Sequence, residues 1–268
     1  MKLLTLNCHS WQEENQIEKM KVLAETIKAN DYDIIALQEV SQPIHETLQF
    51  DNMKKDNFAL LLLAELQQLK APPYHCIWDL SHIAYETYEE GVALLTKHPI
   101  QQKHSFFVSK SHEPHQWKTR RIVGADLRYF GETLSVYSCH LGWWDDPEEP
   151  FSHQAALLLQ QINKENTVFL MGDFNNDANQ TGEGYEYLLK QGLFDTYILA
   201  NEKDCGTTVK GSIAGWHHNS KELRLDLILT NQPVPVRRSN VIFNGQHCKI
   251  ISDHFGVEVE IILDIKVC

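Results

Sequence analysis

The strongest constraint on this chain is a set of short apolar runs, each closed by a polar residue of a kind that carries chemistry. Lys2–Cys8, Asp33–Leu37, Thr133–Cys139 and Thr167–Met171 are too short for amphipathic helices and read as buried strands. Asn7, Glu39, His140 and Asp173 fall at the ends of these runs, and Asp253 and His254 precede a last one, Gly256–Ile262. Strand ends open onto loops, where a rigid scaffold presents reactive groups. A single polar residue there is explained by turn chemistry. Asn, Glu, His and two Asp in five such places are harder to explain that way.

Between the strands lie helical patterns. Ile17–Ile27 repeats apolar residues at helical spacing, and Phe58–Leu69 is stopped by Pro72-Pro73. A helix runs through Ala155–Ile162 with Ser152 as its expected cap, and another spans Gly184–Gly192. Further strands are expected at Tyr74–Trp78, Val92–Thr96, Ser105–Val108, Arg121–Phe130, Leu223–Leu229 and Val236–Phe243, with a hairpin turn at Gly131-Glu132. Helices and hairpins are interleaved without linker or repeat. This pattern predicts two packed sheets with helices outside, as one domain over residues 1–268.

Composition excludes several classes. A formal net charge of -12 disfavours binding nucleic acid by counterion release, or docking on anionic membrane. Six cysteines without a CxxC pair argue against a structural zinc site, and several sit in apolar runs as small core residues. The first residues read as a strand rather than a signal peptide, and the longest apolar run, Phe58–Leu63, is too short to span a bilayer. The expectation is a cytoplasmic protein; its oligomeric state stays open.

Met171-Gly172-Asp173-Phe174-Asn175 is the sharpest segment. Gly172 permits a close backbone approach. Asp173 and Asn175 alternate with Phe174 and so share a face, offering a base and an amide donor; the alternative is an Asx turn after a strand. In Ser252-Asp253-His254, the histidine titrates near neutrality. Asp226 is a charge inside the apolar strand Leu225–Leu229, and it needs a partner: a histidine or a nearby arginine.

Thr5-Leu6-Asn7, Leu37-Gln38-Glu39-Val40, Cys139-His140-Leu141, Gly172-Asp173-Phe174-Asn175, Leu225-Asp226-Leu227-Ile228 and Ser252-Asp253-His254, in this order, resemble the endonuclease/exonuclease/phosphatase superfamily across essentially the whole chain. The resemblance implies a DNase I-like α/β fold, a four-layer α-β-β-α sandwich with the site at one edge of the two sheets. It implies Mg²⁺, with Mn²⁺ as a substitute, held by Glu39 with Asn7 beside it and Asp253 supporting. Asp173 would orient or deprotonate water, and Asn175 and His140 would hold phosphoryl oxygens. His254, oriented by Asp226, would stabilise charge or protonate the leaving oxygen. Glu90 would stand behind the first histidine, with Glu89 an immediate competitor. Those parts suit phosphoryl transfer, which is mostly positioning and electrostatics. No Walker loop is present.

The superfamily motifs leave the substrate open. His140–Phe151, with its paired Trp143 and Trp144, resembles a bacterial subgroup that includes maltose 6'-phosphate phosphatase. Two indoles beside a histidine suggest a platform for sugar faces, with Asp145 or Asp146 accepting hydroxyls; the alternative is that the loop packs over a helix. Arg120, with Lys118 and Arg121, suggests a phosphate clamp. Gly215–Asn219 suggests a second substrate loop, with His217-His218 a weak zinc motif that a solvated loop explains better. Tyr85, Tyr88 and Trp117 are further pocket candidates. The reading is a Mg²⁺-dependent phosphomonoesterase of a small sugar phosphate, such as a disaccharide phosphate. The alternatives are a nuclease or other phosphodiesterase, and a non-catalytic regulatory protein that retains the fold.

Overall fold

Three separate apolar layers organise the chain in a computed structural model that describes residues 1–262. The first, with Leu4, Leu23, Ile35 and Leu62, lies between one sheet and the helices Gln16–Asn30 and Phe58–Gln68. The second, with Leu3, Ile34, Val136, Phe169 and Ile228, lies between the two sheets. The third, with Leu141, Phe151, Leu158 and Leu170, lies between the other sheet and the helices Phe151–Gln161 and Gly184–Lys190. Three cores require four layers, so the architecture is the α-β-β-α sandwich expected.

From one edge, the seven-stranded sheet runs Ala200–Lys203, Val236–Ile242, Gly256–Ile261, Lys2–Asn7, Ile34–Pro43, Tyr88–Thr96, His75–Ala84. The six-stranded sheet runs Phe194–Asp195, Asp226–Thr230, Thr167–Asp173, Glu132–His140, Arg121–Tyr129, Ile100–Phe107. Near the middle of each sheet one pair is parallel: Lys2–Asn7 with Ile34–Pro43, and Thr167–Asp173 with Glu132–His140; the seven-stranded sheet has a second parallel pair at its edge, Ala200–Lys203 with Val236–Ile242. A parallel pair puts two carboxyl ends side by side. The two middle pairs together supply Asn7 and Glu39 from one sheet, and Asp173 and His140 from the other.

Alternation decides which residues meet between the sheets. Leu3 belongs to the inter-sheet core, so Thr5 and Asn7 share its face; by the same count Ser138 and His140 follow Val136, and Asp173 follows Met171. The shared face thus turns from apolar to polar toward one end. At the boundary, Gln38 Nε2 donates to Ser138 Oγ across the sheets at 3.0 Å, and the Thr5 hydroxyl donates to Gln38 Oε1 at 3.3 Å. Gly172 marks the tightest approach: a Cβ there would stand 1.8 Å from the Cys139 carbonyl oxygen.

Three local expectations are corrected. The strand expected to stop at Gln38-Glu39 continues to Pro43, with a register shift between Leu37 and Val40. Glu39 sits in that bulge at φ 50, and Ser10 Oγ donates to its carbonyl at 2.6 Å. The strand expected over Leu223–Leu229 is broken at Arg224-Leu225 into Glu222–Leu223 and Asp226–Thr230. The third helix starts at Phe151, so Ser152 lies inside it; Pro150, with no side chain to donate or accept, occupies the cap. Among the described residues no helix is long and apolar enough to cross a membrane. Cys8 and Cys139 are buried, whereas Cys205 and Cys248 are exposed; Cys268 lies outside the described residues.

The first strand is tied down by Asp33, whose Oδ2 accepts from the Lys2 backbone N–H at 2.7 Å and whose Oδ1 faces His98 at 3.2 Å. Burial alone would raise this carboxyl, but His98, the Lys2 amide and Lys97 outweigh it and hold it at about 2. Its folded value lies below its unfolded one. The stabilisation is therefore complete above about pH 4, the ordinary range of the carboxyl, and is lost as the pH falls through about 2. Asp33→Asn is expected to cost roughly 2 kcal/mol at pH 7 and almost nothing near pH 2, measured by urea denaturation at both pH values.

Candidate active site

Asp173 pairs in register with His140 on one side and Asp226 on the other, so three polar side chains stand in a row across the rim of the six-stranded sheet. Asp173 Oδ1 accepts from the Asn175 backbone N–H at 2.8 Å. Asp173 Oδ2 accepts from Asn7 Nδ2 at 3.2 Å, a bond that joins the two sheets. The same Asn7 amide donates to Glu39 Oε1 at 2.9 Å. His254 lies between two carboxylates, with Nδ1 2.8 Å from Asp226 Oδ2 and Nε2 3.8 Å from Asp173 Oδ2. His140 Nε2 stands 3.7 Å from Asp173 Oδ2 and 4.0 Å from Glu39 Oε1. Residues spread from Asn7 to His254 thus meet at one rim.

The electrostatics divide the two histidines. Burial would push His254 down, but Asp226 and Asp173 outweigh it and raise it well above its ordinary range, so it is an imidazolium at neutral pH. Burial lowers His140 well below that range, with Arg120, His82 and His254 adding to the effect, so it is neutral. Burial raises Asp173 to about 7, and the nearby Asp226 and Glu39 add to the rise against the pull of His254. Glu90 goes to about 8, through burial and then the charge of Glu39. Two carboxyls pushed up in one place need a cation. Glu39, Glu90 and His140 bring ligand atoms within 4.8 Å of one another, and the two carboxylates are the hard oxygen donors that Mg²⁺ prefers.

Asp253 turns from this group toward His9, at 3.7 Å, and forms with His9 and Glu13 a second cluster of the same tightness. The sequence pattern offered no reason to single out His9. Burial alone would lower it, but Glu13, Asp253 and Glu39 raise it to about 9, and it lines the cavity as a cation. Of the competing glutamates, Glu89 pairs with Lys54 at 2.8 Å and Gln42 at 2.6 Å, while Glu90 faces the cavity beside His82. Asp226 takes the histidine and not the arginine; Arg224 pairs with Asp195 at 2.7 Å.

The cavity above the row holds about 520 Å³, a size suited to a small organic ligand. Its floor is Glu39, Glu90, His140, Asp173 and His254. Its walls come from Tyr85, Trp117, Trp143, Gly215 and His217. The paired-indole platform is corrected here. Trp143 lines the cavity, but Trp144, at the start of a turn, packs into the outer core against Phe151 and Tyr187. The partner of Trp143 is Trp117, with ring centroids 5.8 Å apart. Tyr88 is not among the lining residues.

The three-residue clamp also separates. Lys118 is held by Asp146 at 2.7 Å and Glu148 at 2.8 Å, which removes Asp146 as a free acceptor too. Arg121 is held by Asp79. Arg120 alone faces the cavity, 4 % exposed, with its guanidinium 5.9 Å from the Trp143 ring. Its Nη1 donates to the carbonyls of Trp117 and Thr119, and its Nε has no partner. His217 and His218 are exposed and belong to none of the metal-competent clusters among the described residues.

The family described as the Endonuclease/Exonuclease/phosphatase family matches residues 6–254. Among solved structures, an endonuclease/exonuclease/phosphatase family protein from Leptotrichia buccalis C-1013-b shares 41% identity and a TM-score of 0.93, covering 98% of this chain and 100% of its own. A mannosyl-6-phosphatase from Bacteroides thetaiotaomicron VPI-5482 shares 18% identity and a TM-score of 0.73, with 98% and 100% covered. A 3'-5' exonuclease from Neisseria meningitidis shares 20% identity and a TM-score of 0.64, also with 98% and 100% covered. At those last identities the likeness is one of fold. No curated protein matches the chain.

The two indoles are expected to part company on mutation. Trp144→Ala should lower stability by roughly 3 kcal/mol through a cavity in the outer core, leaving ligand affinity unmoved. Trp143→Ala should weaken a cavity-bound ligand about tenfold, the loss of one stacked aromatic contact with its buried area, with a smaller change in Tm. Thermal denaturation and titration calorimetry of both variants check the pair.

Proposed function

Because the chain belongs to the endonuclease/exonuclease/phosphatase family, we propose that it is a Mg²⁺-dependent phosphomonoesterase acting on a small sugar phosphate. The observation that carries this reading is the cavity of about 520 Å³ over the polar row. Glu39, Asp173 and His254 lie at the bottom of a cavity walled by indoles, not along an open basic groove. The faces of wall indoles suit the C–H faces of a sugar, and the acidic chain opposes a polyanionic strand. Arg120 adds a buried cation beside the cavity, which suits the second negative charge that a monoester carries and a diester lacks. The mannosyl-6-phosphatase of the same fold supports the sugar-phosphate reading as a parallel.

Glu39, with Asn7 and Glu90 beside it, would hold Mg²⁺ or Mn²⁺. When bound, the cation supplies neutralisation of charge gathering on the phosphoryl group. Asp173 takes a proton from the attacking water as its oxygen bonds to phosphorus, and its carboxyl, raised to about 7, is a base matched to neutral pH. Neutral His140 donates from Nε2 to a non-bridging oxygen. As the bond from phosphorus to the sugar oxygen breaks, the His254 imidazolium gives that oxygen a proton. Asp226 holds the ring by Nδ1, so Nε2 is the end that faces the reaction. The Asn175 amide hydrogens already donate to the Leu141 carbonyl at 3.0 Å and Asp173 Oδ2 at 3.3 Å, so its part is to hold Asp173 rather than a phosphoryl oxygen.

Purified protein with Mg²⁺ is expected to release inorganic phosphate from maltose 6'-phosphate or a related hexose 6-phosphate without nicking plasmid DNA, and EDTA should abolish release. Nicking without phosphate release would overturn the monoester reading. Asp226→Asn is expected to lower kcat at least about a hundredfold with KM little changed, because the ring loses its orienting carboxylate and its charge. Unchanged hydrolysis by Asp173→Asn and His254→Ala would refute the roles assigned to them.

A further inference from the structure

The loop between Lys210 and Glu222 touches the site at two points. At the first, the Trp216 indole Nε1–H donates to Asn175 Oδ1 at 3.0 Å. At the second, Gly215, at φ 78, lies flat against Trp143: a Cβ there would stand 2.6 Å from Trp143 Cζ2. The body of Trp216 packs on the small apolar cluster of Val209, Ile213, Leu223 and Leu225, which anchors the loop. One short stretch of backbone therefore meets both the indole wall of the cavity and the amide that holds Asp173.

The Asn175 amide has nearly the same shape in its two flipped orientations, and only its neighbours distinguish them. On one side, the Leu141 carbonyl and Asp173 Oδ2 can only accept, at 3.0 and 3.3 Å. On the other, the Trp216 indole can only donate. All three neighbours select one orientation. In the flipped form, Oδ1 would face two oxygens and Nδ2 would face an N–H. The Asn175 backbone N–H also binds Asp173 Oδ1 at 2.8 Å, so this single residue restrains both oxygens of that carboxylate.

We propose that Trp216 is a positioning residue: its indole fixes the Asn175 amide in the orientation that aims Asp173, and its loop ties that orientation to the substrate wall at Trp143. This rests on the reading of Asp173 as the base. Trp216 acts through Asn175 and touches no reacting atom.

Trp216→Phe keeps the packed aromatic body and removes the N–H. With p-nitrophenyl phosphate and Mg²⁺, kcat is expected to fall about tenfold, the scale of one hydrogen bond, with KM within about twofold. In an Asn175→Ala background, the same substitution should change kcat less than about twofold, because its effect passes through that amide. An unchanged kcat, or an undiminished effect in the Asn175→Ala background, overturns the proposal. A second readout needs no turnover. The Trp216 indole N–H resonance of the wild-type protein should shift, and its hydrogen exchange should quicken, in Asn175→Ala. An unmoved resonance overturns the contact itself. Failure of the wild-type protein to hydrolyse any phosphate ester would count against the proposed activity, and the resonance would still decide the contact.

Discussion

The site depends on one change of character along a buried surface. Between the two sheets, the facing side chains run from Leu3, Ile34 and Phe169 to Thr5, Gln38 and Ser138, and then to Asn7, Asp173 and His140. Apolar packing fixes the spacing of the sheets, and the bond from Gln38 to Ser138 carries that spacing into the polar zone. A buried amide and hydroxyl without partners would be costly, so the register that pairs them is favoured over its neighbours. Asn7 then reaches from one sheet to Glu39 beside it and to Asp173 opposite. Its single amide spans the gap between a residue suited to a cation and a residue suited to a base. The rest of the floor inherits its geometry from this frame.

Packing carboxylates so densely is unfavourable without compensation. Glu39, Glu90, Asp173 and Asp226 all lie near one another, and Glu90 and Asp173 are both pushed up, to about 8 and about 7. Three cationic side chains offset them in different ways. His254 is enclosed and fixed between two carboxylates. His9 stands at the rim, held by Glu13. Arg120 is buried with a donor left over. The remaining deficit of positive charge falls beside Glu39, where the ligand atoms of Glu90 and His140 also converge. An arrangement of this kind is less stable than a satisfied core and is retained where a ligand completes it.

The strands were legible in the sequence as short continuous apolar runs, and the row of polar residues because it closes them. Asn7, His140 and Asp173 fall where an inward-facing position coincides with the end of an apolar run. Glu39 is the instructive exception. Simple alternation would send it away from Gln38, and only a bulge at positive φ, tied by Ser10, turns it into the site. The motif located the residue, but its direction depends on backbone geometry that no local pattern states. The walls were less legible for a related reason. Trp143 and Trp144 are indistinguishable by composition, and their fates differ because one side of the loop faces the outer core. Trp117 and His9 have no motif around them, and their place depends on which loops the sheets bring together.

This difference between floor and walls is itself a physical consequence of the architecture. Glu39, Glu90, His140 and Asp173 sit on strands locked between two apolar layers, and His254 lies two residues before such a strand, so moving one of them by a fraction of an ångström disturbs a core. Wall residues sit on loops that close against each other: Trp143 meets Trp117 on one side and Gly215 on another. Such contacts can be rebuilt around a different ligand without altering a strand. A shared fold at 18% and 20% identity can therefore serve a mannosyl-6-phosphatase in one protein and an exonuclease in another. In this chain, the contact from Trp216 to Asn175 runs from a wall to the floor. A wall free to change with substrate has to be joined to the base at few points. Each such point is where a change of ligand preference would also change the rate of the chemistry.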